Sequence, residues 1–354
     1  MKEALVSKGP QVQIVDSPIP TPNENQVLIK VIVSGSNPKD WKVPNIFGGA
    51  TNSGDDIAGI VEKVGSNVFE FKPGDRVAAF HEMRTPAGSY AEYALAWQHT
   101  TFHIPDSTTF EEAATIPLAA MTAAVALYLR LGLPQPWSPT PTTTPSPPTP
   151  LIIYGAASAV GIYAIQLAQR SNIHPLLCVA GRARDYVAGF LDPAKGDTVI
   201  DYRQGDEAVI SGLVDALKGQ GLPPVGYVLD AVAEGSSIAN IGEVFRRVGE
   251  RDNDGKVKGK VTFVLGGEKE GLPEGVEKSI TLVGDVHTEA KDFGYVYYRY
   301  FARGLQEGWL KPQRAEVVPG GLGGVQTALK NLMDGKASGV KYIFRIGETE
   351  GVQR

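Results

Sequence analysis

Short runs of β-branched and other apolar residues alternate with turn-forming residues over the first hundred positions. The segments of this kind are KEALVS, QVQIVD, QVLIKVIVSG, DIAGIVEKVG, DRVAAF and SYAEYALAW. Clusters of proline, asparagine and glycine separate them, as they separate the strands of β-rich domains. The pattern predicts an all-β unit in this part of the chain.

The pattern changes to a helical composition at Thr109. Thr109 and Glu112 have the spacing of a capping box, in which a threonine and a glutamate three residues later cap one helix start. The Ala/Leu-rich stretch up to about Arg130 is therefore predicted to be helical. Residues 134–150, PQPWSPTPTTTPSPPTP, follow it, and their prolines favour extended backbone. We interpret them as an exposed, passive loop.

Beyond residue 150, apolar segments alternate with glycine-bearing turns and helical stretches. The apolar segments are LIIY, PLLCVA, TVID, GYVLDA, KVTFVL and SITLVG. Strands separated by crossovers form a parallel sheet, so the pattern predicts a doubly wound six-stranded α/β fold. The tail ends in the strand-like VKYIFRIG and is too short to fold alone. We expect it to rejoin the β unit, which gives a discontinuous domain at 1–124 and 287–354 around an α/β domain at 125–286.

Composition limits the class of protein. The 354 residues, 42% hydrophobic and 21% charged, suffice for two packed domains. A formal charge of -5 without a lysine/arginine cluster argues against a nucleic-acid or anionic-membrane partner. The sequence shows no signal-peptide core and no run of 18 apolar residues, so a cytoplasmic protein is expected. The single cysteine, Cys178, excludes an intramolecular disulfide and a cysteine-rich zinc site.

The stretch IIYGAASAVGIYAIQLA, residues 152–168, joins the first strand of the predicted sheet to a helix. At such a turn, the free N–H groups and the positive end of the helix dipole favour a pyrophosphate. Gly155 and Gly161 fit the two ends of the turn, where a side chain would hold the backbone away from the phosphates. The cofactor-binding candidates here are Gly155, Ala157, Ser158, Ala159 and Val160. A tight turn needed only for helix–sheet packing is the alternative.

The end of the second strand of the sheet bears on which dinucleotide binds. NAD sites usually carry an acidic residue there. This sequence has Gly181, Arg182 and Arg184 instead, and guanidinium groups suit a 2′-phosphate dianion. We therefore expect NADPH, with Tyr202 reaching the same phosphate from the end of the third strand. The alternatives are a solvated helix start, with Asp185 paired to one arginine, and a half-buried strand-end tyrosine.

Longer motifs make the chain resemble a known family. They are AGIVEKVGSNVFEFKPGDRV (58–77), GSYAEY (88–93) and EEAATIPLAAMTA (111–123). With the predicted domain order, they resemble the medium-chain dehydrogenase/reductase superfamily over nearly the whole chain. This resemblance implies a GroES-like catalytic domain joined to a Rossmann domain. The stretch NPKDWK, residues 37–42, is similar to the zinc-free quinone oxidoreductase branch, and most of all to fungal enoyl reductases, including those that act in trans with polyketide synthases.

The same resemblance bears on the metal. The zinc-dependent branch carries a cysteine ligand near the position of Ser36 and a Gly-His-Glu segment near Gly54. This sequence has no cysteine there and reads Gly54-Asp55-Asp56, so no catalytic metal is expected. We interpret the two aspartates as turn hydrogen-bonding residues. A metal-free reductase delivers hydride to the β-carbon of an enone, an enoyl thioester or a quinone, while a hydrogen-bond donor stabilises the enolate.

The resemblance also implies site residues near the nicotinamide half of the cofactor. The catalytic candidates are Lys42, as a donor to the substrate carbonyl, and Thr122, near the carboxamide or that carbonyl. The implied cofactor contacts are Lys39, Asp40, Trp41, Lys42, Val264, Leu265, Val340 and Lys341. The alternatives are a surface lysine for Lys42, a helix threonine bonded to its own turn for Thr122, and a plain turn before the last strand for the Lys341 segment.

Three further groups are given structural interpretations. His81 and Glu82 lack a third ligand and are interpreted as a polar strand end. Cys178 lies between apolar residues, which predicts a buried, inert thiol. The aromatic residues of 293–301 are expected to pack for the most part, with Tyr297 or Tyr298 facing a hydrophobic substrate.

The expected function is therefore NADPH-dependent, zinc-independent reduction of an activated C=C bond or a quinone, in a cleft between the domains. The substrate is expected to be small, hydrophobic and unsaturated. A trans-acting enoyl reductase that serves a polyketide synthase carrier domain is the alternative within enzymes, and a non-catalytic NADPH-binding protein is the alternative outside them. The oligomeric state, monomer or homodimer, stays open.

Overall fold

A computed structural model describes residues 1–138, 148–219, 221–267 and 270–352. The chain divides into two compact units, Met1–Met121 with Val283–Arg354, and Thr122–Leu282. The sequence places these boundaries after residues 124 and 286. Residues 139–147 of the predicted 134–150 loop lie outside the described part of the chain.

The first unit begins with short strands and helices. The strands are β1 (Lys2–Ser7), β2 (Gln11–Asp16), β3 (Gln26–Gly35), β4 (Asp56–Val64), β5 (Arg76–Phe80), β6 (Tyr93–Trp97) and β7 (Thr101–His103). The helices are α1 (Lys39–Phe47), α2 (Phe110–Ala113) and the start of α3 (Pro117–Ala124). The boundary between the units falls inside α3, and the chain continues from α3 as a π-helical turn, Val125–Arg130. Each of the six predicted β segments contains one of β1 to β6. The predicted capping box of Thr109 and Glu112 is confirmed at the start of α2.

The second unit is a doubly wound sheet. Its strands are β8 (Leu151–Tyr154), β9 (Leu176–Ala180), β10 (Thr198–Asp201), β11 (Tyr227–Asp230), β12 (Glu250–Arg251), β13 (Val257–Phe263) and β14 (Val276–Ile280). Its helices are α4 (Ala159–Arg170), α5 (Arg184–Ala188), α6 (Asp206–Gly219) and α7 (Ser237–Val248). The parallel order is β10-β9-β8-β11-β13-β14, with β12 antiparallel beside β13. The predicted six-stranded parallel sheet is therefore confirmed.

The last strand of this sheet differs in position from the prediction. The sequence places it at SITLVG, whereas β14 starts three residues earlier, at Val276, and ends at Ile280. Its extent follows β13, because the ladder runs from the Gly259–Val276 pair to the Phe263–Ile280 pair and stops where β13 ends. Pairing with β13, rather than the extent of the apolar run, therefore determines where β14 begins and ends.

The tail returns to the first unit, as predicted. Its elements are α8 (Lys291–Glu307), β15 (Ala315–Val317), α9 (Val325–Met333) and β16 (Lys341–Arg345). β16 pairs antiparallel with β3, and the sheet order is β15-β16-β3-β4-β5-β7, with β6 also on β3. The C-terminal strand is thus next to the strand that leads into α1.

Each unit has its own apolar core. In the first unit, side chains such as Ile29, Ile57 and Phe344 are fully buried, and in the second, Ile152 and Phe245 are fully buried. The segment Phe110–Arg130 is long and apolar enough to span a membrane by composition alone, but 89% of its apolar window is buried inside the protein. Its apolarity is that of a core helix.

Candidate functional site

The turn between β8 and α4 is built on two glycines. Gly155 has φ +78°, and a Cβ there would lie 2.3 Å from Val232 Cγ2. A Cβ on Gly161 would lie 2.6 Å from the Gly155 carbonyl oxygen. A left-handed backbone and so close an approach both require glycine. The turn is therefore narrow, and no side chain fills the space at these positions.

The first turn of α4 is arranged to receive an anion. Ser158 is its N-cap, and the Ser158 Oγ accepts a hydrogen bond from the Gly161 N–H at 3.0 Å. The N–H groups of Ala159 and Val160 belong to the first turn and have no intrahelical acceptor. Residues 157–160 are half-buried and small. These residues fit a pyrophosphate, which the amides and the helix dipole would both stabilise.

The tip of β9 brings Gly181 and Tyr202 together. A Cβ on Gly181 would lie 2.5 Å from the Tyr202 ring, so the ring packs directly on the glycine backbone. Tyr202 is half exposed, and Arg182, which directly follows Gly181 in the sequence, is exposed. The structure thus places three of the residues predicted to bind a 2′-phosphate, Gly181, Arg182 and Tyr202, at one corner of the sheet.

Asp201 is a residue of this corner that the sequence reasoning missed. Its carboxylate accepts from Arg203 Nη2 at 2.5 Å, and Arg184 Nη1 lies 3.9 Å away. Hydrogen bonds from the Arg203 side chain and backbone lower the pKa of Asp201 to about 2. Arg184 also contacts Asp185 at 3.3 Å. Carboxylates therefore engage Arg184, and the pairing of Asp185 with an arginine, which was the alternative to phosphate binding by Arg184, is observed.

The remaining candidates of the second unit lie on the same edge of its sheet or in α3. Val264 and Leu265 directly follow β13 and are half-buried, and the Val264 N–H donates to the Asp230 carbonyl at 3.3 Å. Because β8, β9, β11 and β13 are parallel, these residues share an edge with Gly155. Thr122 is buried within α3.

In the first unit, the start of α1 carries a buried ion cluster. The Lys39 ammonium lies 2.5 Å from the Ser53 carbonyl oxygen and 2.8 Å from Asp40 Oδ1, and it also contacts Asp55 Oδ2. The Tyr90 hydroxyl donates to Asp40 Oδ2 at 2.5 Å. Asp40, Asp55 and Tyr90 are almost completely buried. We call the set Lys39, Asp40, Ser53, Asp55 and Tyr90 the Lys39 cluster.

A second buried pair lies beside it. The Lys341 ammonium contacts Asp56 Oδ2 and lies 3.1 Å from Asn37 Oδ1. Asp56 also accepts from Asn37 Nδ2 and from the Leu118 N–H, both at 2.7 Å. The interpretation of Asp55 and Asp56 as turn hydrogen-bonding residues is therefore wrong. Each is paired with a lysine from elsewhere in the chain, because a buried carboxylate needs a counter-charge.

Burial shifts the pKa values of this cluster. Burial alone lowers the pKa of Lys39, but the Asp40 and Asp55 carboxylates outweigh it, and the pKa of Lys39 is raised above its usual value. Burial raises the pKa of Asp40 and raises the pKa of Asp55 to about 6, against the opposing effect of Lys39. Burial and Asp40 raise the pKa of Tyr90, so its phenol stays protonated.

Lys42 and Trp41 lie further along α1. The Lys42 ammonium lies 5.5 Å from the centroid of the Trp41 ring, and both side chains are half-buried. Trp41 packs against the apolar core of the first unit. Val340, which precedes Lys341, packs against the same core. The structure thus places Lys39 to Lys42 together on α1, with Lys42 one turn beyond the buried cluster and Lys341 in the adjacent ion pair.

The surroundings of Cys178, His81 and the two tyrosines test the structural interpretations made from the sequence. Cys178 is fully buried, and burial raises the pKa of its thiol, as expected of an inert cysteine. His81 contacts the carbonyl oxygen of Leu95 at 2.7 Å. The expectation that Tyr297 or Tyr298 faces a substrate is wrong, because both rings are fully buried. The Tyr298 hydroxyl donates to a carbonyl in the core and its ring stacks on a neighbouring phenylalanine.

A sequence signal for the Lys39 and Lys341 pairs exists, although it is faint. Asp55 and Asp56 directly precede the apolar run IAGIV, and Lys341 directly precedes the apolar run YIF. Charged residues at the start of buried strands require partners. The sequence does not show which charges meet, because Asp56 and Lys341 are far apart along the chain.

Comparisons with known proteins agree with this architecture. Residues 23–106 match the model of the alcohol dehydrogenase GroES-like domain. A trans-enoyl reductase of Gibberella fujikuroi is 49% identical over 323 residues, which cover 90% of this chain and 91% of the relative. A trans-enoyl reductase of Aspergillus sclerotiorum is 29% identical over 373 residues, covering 97% and 100%. The solved quinone oxidoreductase of Coxiella burnetii shares the fold, with a TM-score of 0.71, 22% identity and coverage of 98% and 99%.

The first of these relatives is nearly half identical over nine-tenths of both chains, and the domain match and the shared fold extend the likeness to both units. The sequence analysis predicted two parts of this architecture. The stretch 152–168 predicted the turn between β8 and α4, and the apolar segments of the first hundred residues predicted the β-rich unit. The chain therefore belongs to the medium-chain dehydrogenase/reductase superfamily, as an oxidoreductase of its enoyl reductase branch.

Proposed function

We propose that the protein is an NADPH-dependent enoyl reductase that acts in trans, without a catalytic metal, on α,β-unsaturated thioesters carried by a polyketide synthase. The observation that carries this proposal is the 49% identity to a trans-enoyl reductase along nine-tenths of both chains. Free enones and quinones are the second substrate class, favoured by the fold shared with a quinone oxidoreductase. As an oxidoreductase of this superfamily, the protein uses a nicotinamide cofactor.

The preference for NADPH is supported by the corner around Gly181. Arg182 is exposed there, the Tyr202 ring packs on Gly181, and the tip of β9 carries no acid. Arg182 is the stronger candidate for the 2′-phosphate, because it is exposed and directly follows Gly181, whose backbone packs on the Tyr202 ring. A guanidinium binds such a dianion through charge-assisted hydrogen bonds.

The other residues have separate tasks in this proposal. The bound cofactor supplies a hydride for the β-carbon of the substrate. The first turn of α4 holds the pyrophosphate, and the half-buried Val264 and Leu265 border the nicotinamide half. Lys42 donates a hydrogen bond to the thioester carbonyl oxygen, where negative charge develops as the enolate forms, and a proton taken from solvent at the α-carbon completes the reduction. Thr122 orients the same end of the cofactor.

Metal independence is supported by the chemistry around Asp55. Its carboxylate is in contact with the Lys39 ammonium. The Ser36 hydroxyl donates to the Tyr342 carbonyl at 3.0 Å. A cation already lies against the carboxylate, and a neutral hydroxyl is a poor zinc ligand compared with a thiolate.

The test is NADPH oxidation by the purified, metal-analysed protein against an enoyl thioester of a pantetheine, an aliphatic enone, an ortho-quinone and an aldehyde. We expect turnover of the thioester above that of the enone and quinone, no turnover of the aldehyde, and the same rates after chelation. Binding of NADPH without oxidation of it on any carrier-bound or free substrate would favour the non-catalytic alternative. Stoichiometric zinc that is required for turnover would overturn the metal-free mechanism.

The cofactor preference has its own test. Arg182→Ala should weaken NADPH binding about 10-fold or more and leave NADH binding unchanged, since one charge-assisted contact contributes about 1.5–3 kcal/mol. Arg303→Ala, an exposed arginine of α8 paired with Glu307, is the matched control and should change neither. An unchanged ratio of the two affinities in Arg182→Ala would contradict the assignment.

A further inference from the structure

The Lys39 ammonium has an unusually complete set of partners. An ammonium has three N–H donors, and three oxygens lie in contact with this one, from the Ser53 carbonyl, Asp40 and Asp55. Each partner belongs to the first unit. The family resemblance implies that Lys39 contacts the cofactor. In the structure, the Lys39 ammonium is instead in contact with three oxygens of the protein itself.

Two of these oxygens depend on Lys39. Asp40 Oδ1 and Asp55 Oδ2 are buried, and no described residue other than Lys39 lies within hydrogen-bond distance of them. The Lys39 ammonium, in ionic contact with both, is what offsets their burial. The neighbourhood also contains the buried Asp56 and Lys341, so three carboxylates face two ammonium groups. Without Lys39, three carboxylates would face one.

The cluster takes the place of a local cap for α1. The residue before the helix, Pro38, has no side-chain capping hydrogen bond, and Pro44 interrupts the helix interior. The Asn37 N–H instead donates to Asp40 Oδ2 at 2.7 Å. The Ser53 Oγ donates to the Asp40 carbonyl at 2.9 Å, which ties the helix to the segment before β4. A short helix with an internal proline has little stability of its own, so these contacts fix where it lies.

We propose that Lys39 is a positioning residue rather than a ligand of the cofactor: its ammonium is the resident cation that holds the first turn of α1 in place. Lys42, one turn later on the same helix, owes its position to this cation. The proposal rests on the proposed function in one respect, the role of Lys42 in the reaction. The placement of α1 itself does not depend on that role.

The test compares Lys39→Met, Asp55→Asn and the double variant. Lys39→Met leaves the carboxylates uncompensated, so we expect amides of α1, such as the Lys42 N–H bonded to the Pro38 carbonyl, to exchange with solvent at least 10-fold faster. NADPH should bind within about 3-fold of the wild type, and kcat should fall at least 10-fold with little change in KM for NADPH. The double variant removes one negative charge together with the positive one. It should restore most of the protection of the α1 amides from exchange and most of kcat.

The control is Lys72→Met, an exposed lysine of the same unit, which should change none of these quantities. The cofactor-ligand alternative predicts the opposite pattern, with NADPH binding more than 10-fold weaker in Lys39→Met, α1 exchange unchanged and no recovery in the double variant. That result would overturn the proposal. Hydrogen exchange and NADPH binding are measured without substrate, so a failed enoyl reductase assay would be recognised separately from a failed positioning role.

Discussion

The two places where the sequence predicted cofactor contacts are constructed in different ways. The β8–α4 turn is largely local: Gly155, Ser158 and Gly161 lie within seven positions, and Ser158 and Gly161 contact each other or the turn backbone, although Gly155 also lies against Val232. The start of α1 is held from a distance. Its partners Asp55 and Tyr90 come from later segments, and Lys341 comes from the last strand.

This difference indicates in which region a side chain can be substituted without removing a group that the site needs. In the turn, the backbone provides the N–H groups, so the sequence only has to keep side chains small. Around α1, charged side chains provide both the fold and the position of Lys42, so a single substitution leaves a buried partner without compensation. Substitutions in the turn should therefore act mainly through steric overlap, and substitutions around α1 through the loss of a counter-charge. The losses of unfolding free energy should also differ in size.

The largest effect is expected at Asp56. Asp56→Ala removes the counter-charge of the buried Lys341 and an acceptor of the Leu118 N–H. We expect the free energy of unfolding to fall by about 3–5 kcal/mol, the usual cost of breaking a buried pair, measured by urea denaturation. Asp106→Ala, whose carboxylate is 99% exposed and 3.6 Å from Arg76, should cost less than about 0.5 kcal/mol. A loss at Asp56 as small as at Asp106 would show that the pair is dispensable.

The turn should respond next, through sterics. Gly161→Ala places a Cβ 2.6 Å from backbone atoms, which cannot move as a flexible side chain can. We expect a loss of about 2–3 kcal/mol in unfolding free energy, as for other overpacked sites, together with weaker NADPH binding. The matched control is Gly219→Ala at the end of α6, where a Cβ meets nothing within 4 Å. It should stabilise the protein slightly, and equal losses in both variants would contradict the steric explanation.

The ion cluster should also give a pH dependence that the turn lacks. The pKa of Asp55 is about 6 in the folded protein and about 3.9 when unfolded. Between these values the folded state binds more protons, so the contribution of Asp55 is fully present below about pH 4 and is lost as the pH rises through 6. Relative to Asp55→Asn, the wild type should lose about 2 kcal/mol of unfolding free energy across this interval. Parallel stability curves for the two proteins would contradict the raised pKa.

The smallest effect is expected at the local cap. Ser158→Ala removes the acceptor of the Gly161 N–H and should cost about 1 kcal/mol of unfolding free energy. The control is Ser211→Ala, which removes a half-buried α6 serine whose hydroxyl donates to the Glu207 side chain at 2.9 Å, and it should be close to neutral. A larger loss at Ser158 than at Asp56 would reverse the comparison between the two regions.

The fold was predictable because its signals are periodic and local. Alternating apolar segments gave the six strands of the parallel sheet, and the Thr109–Glu112 pair gave a helix start. The helix α1 was not predicted, since Pro44 and the missing cap argue against it locally. The end of the last parallel strand was misplaced, because pairing with β13 rather than composition sets it.

The candidate site divides along the same line. The glycines and small residues at 155–161 were readable in the sequence, because a phosphate turn makes a local demand for residues without bulk. The pairing of Asp55 with Lys39 and of Asp56 with Lys341 was not readable, nor was the burial of Tyr297 and Tyr298. These features depend on which segments fold against each other.

By itself, the sequence determined the two-part organisation, the doubly wound sheet, the turn suited to a dinucleotide and the superfamily. The tertiary structure alone decided which buried charges meet, that Asp201 lies near Arg184, and what holds α1. The physical reason is the distance along the chain over which each kind of interaction acts. Backbone periodicity and turn chemistry act over a few residues, whereas a buried charge takes its stability from whatever counter-charge the fold brings within contact distance.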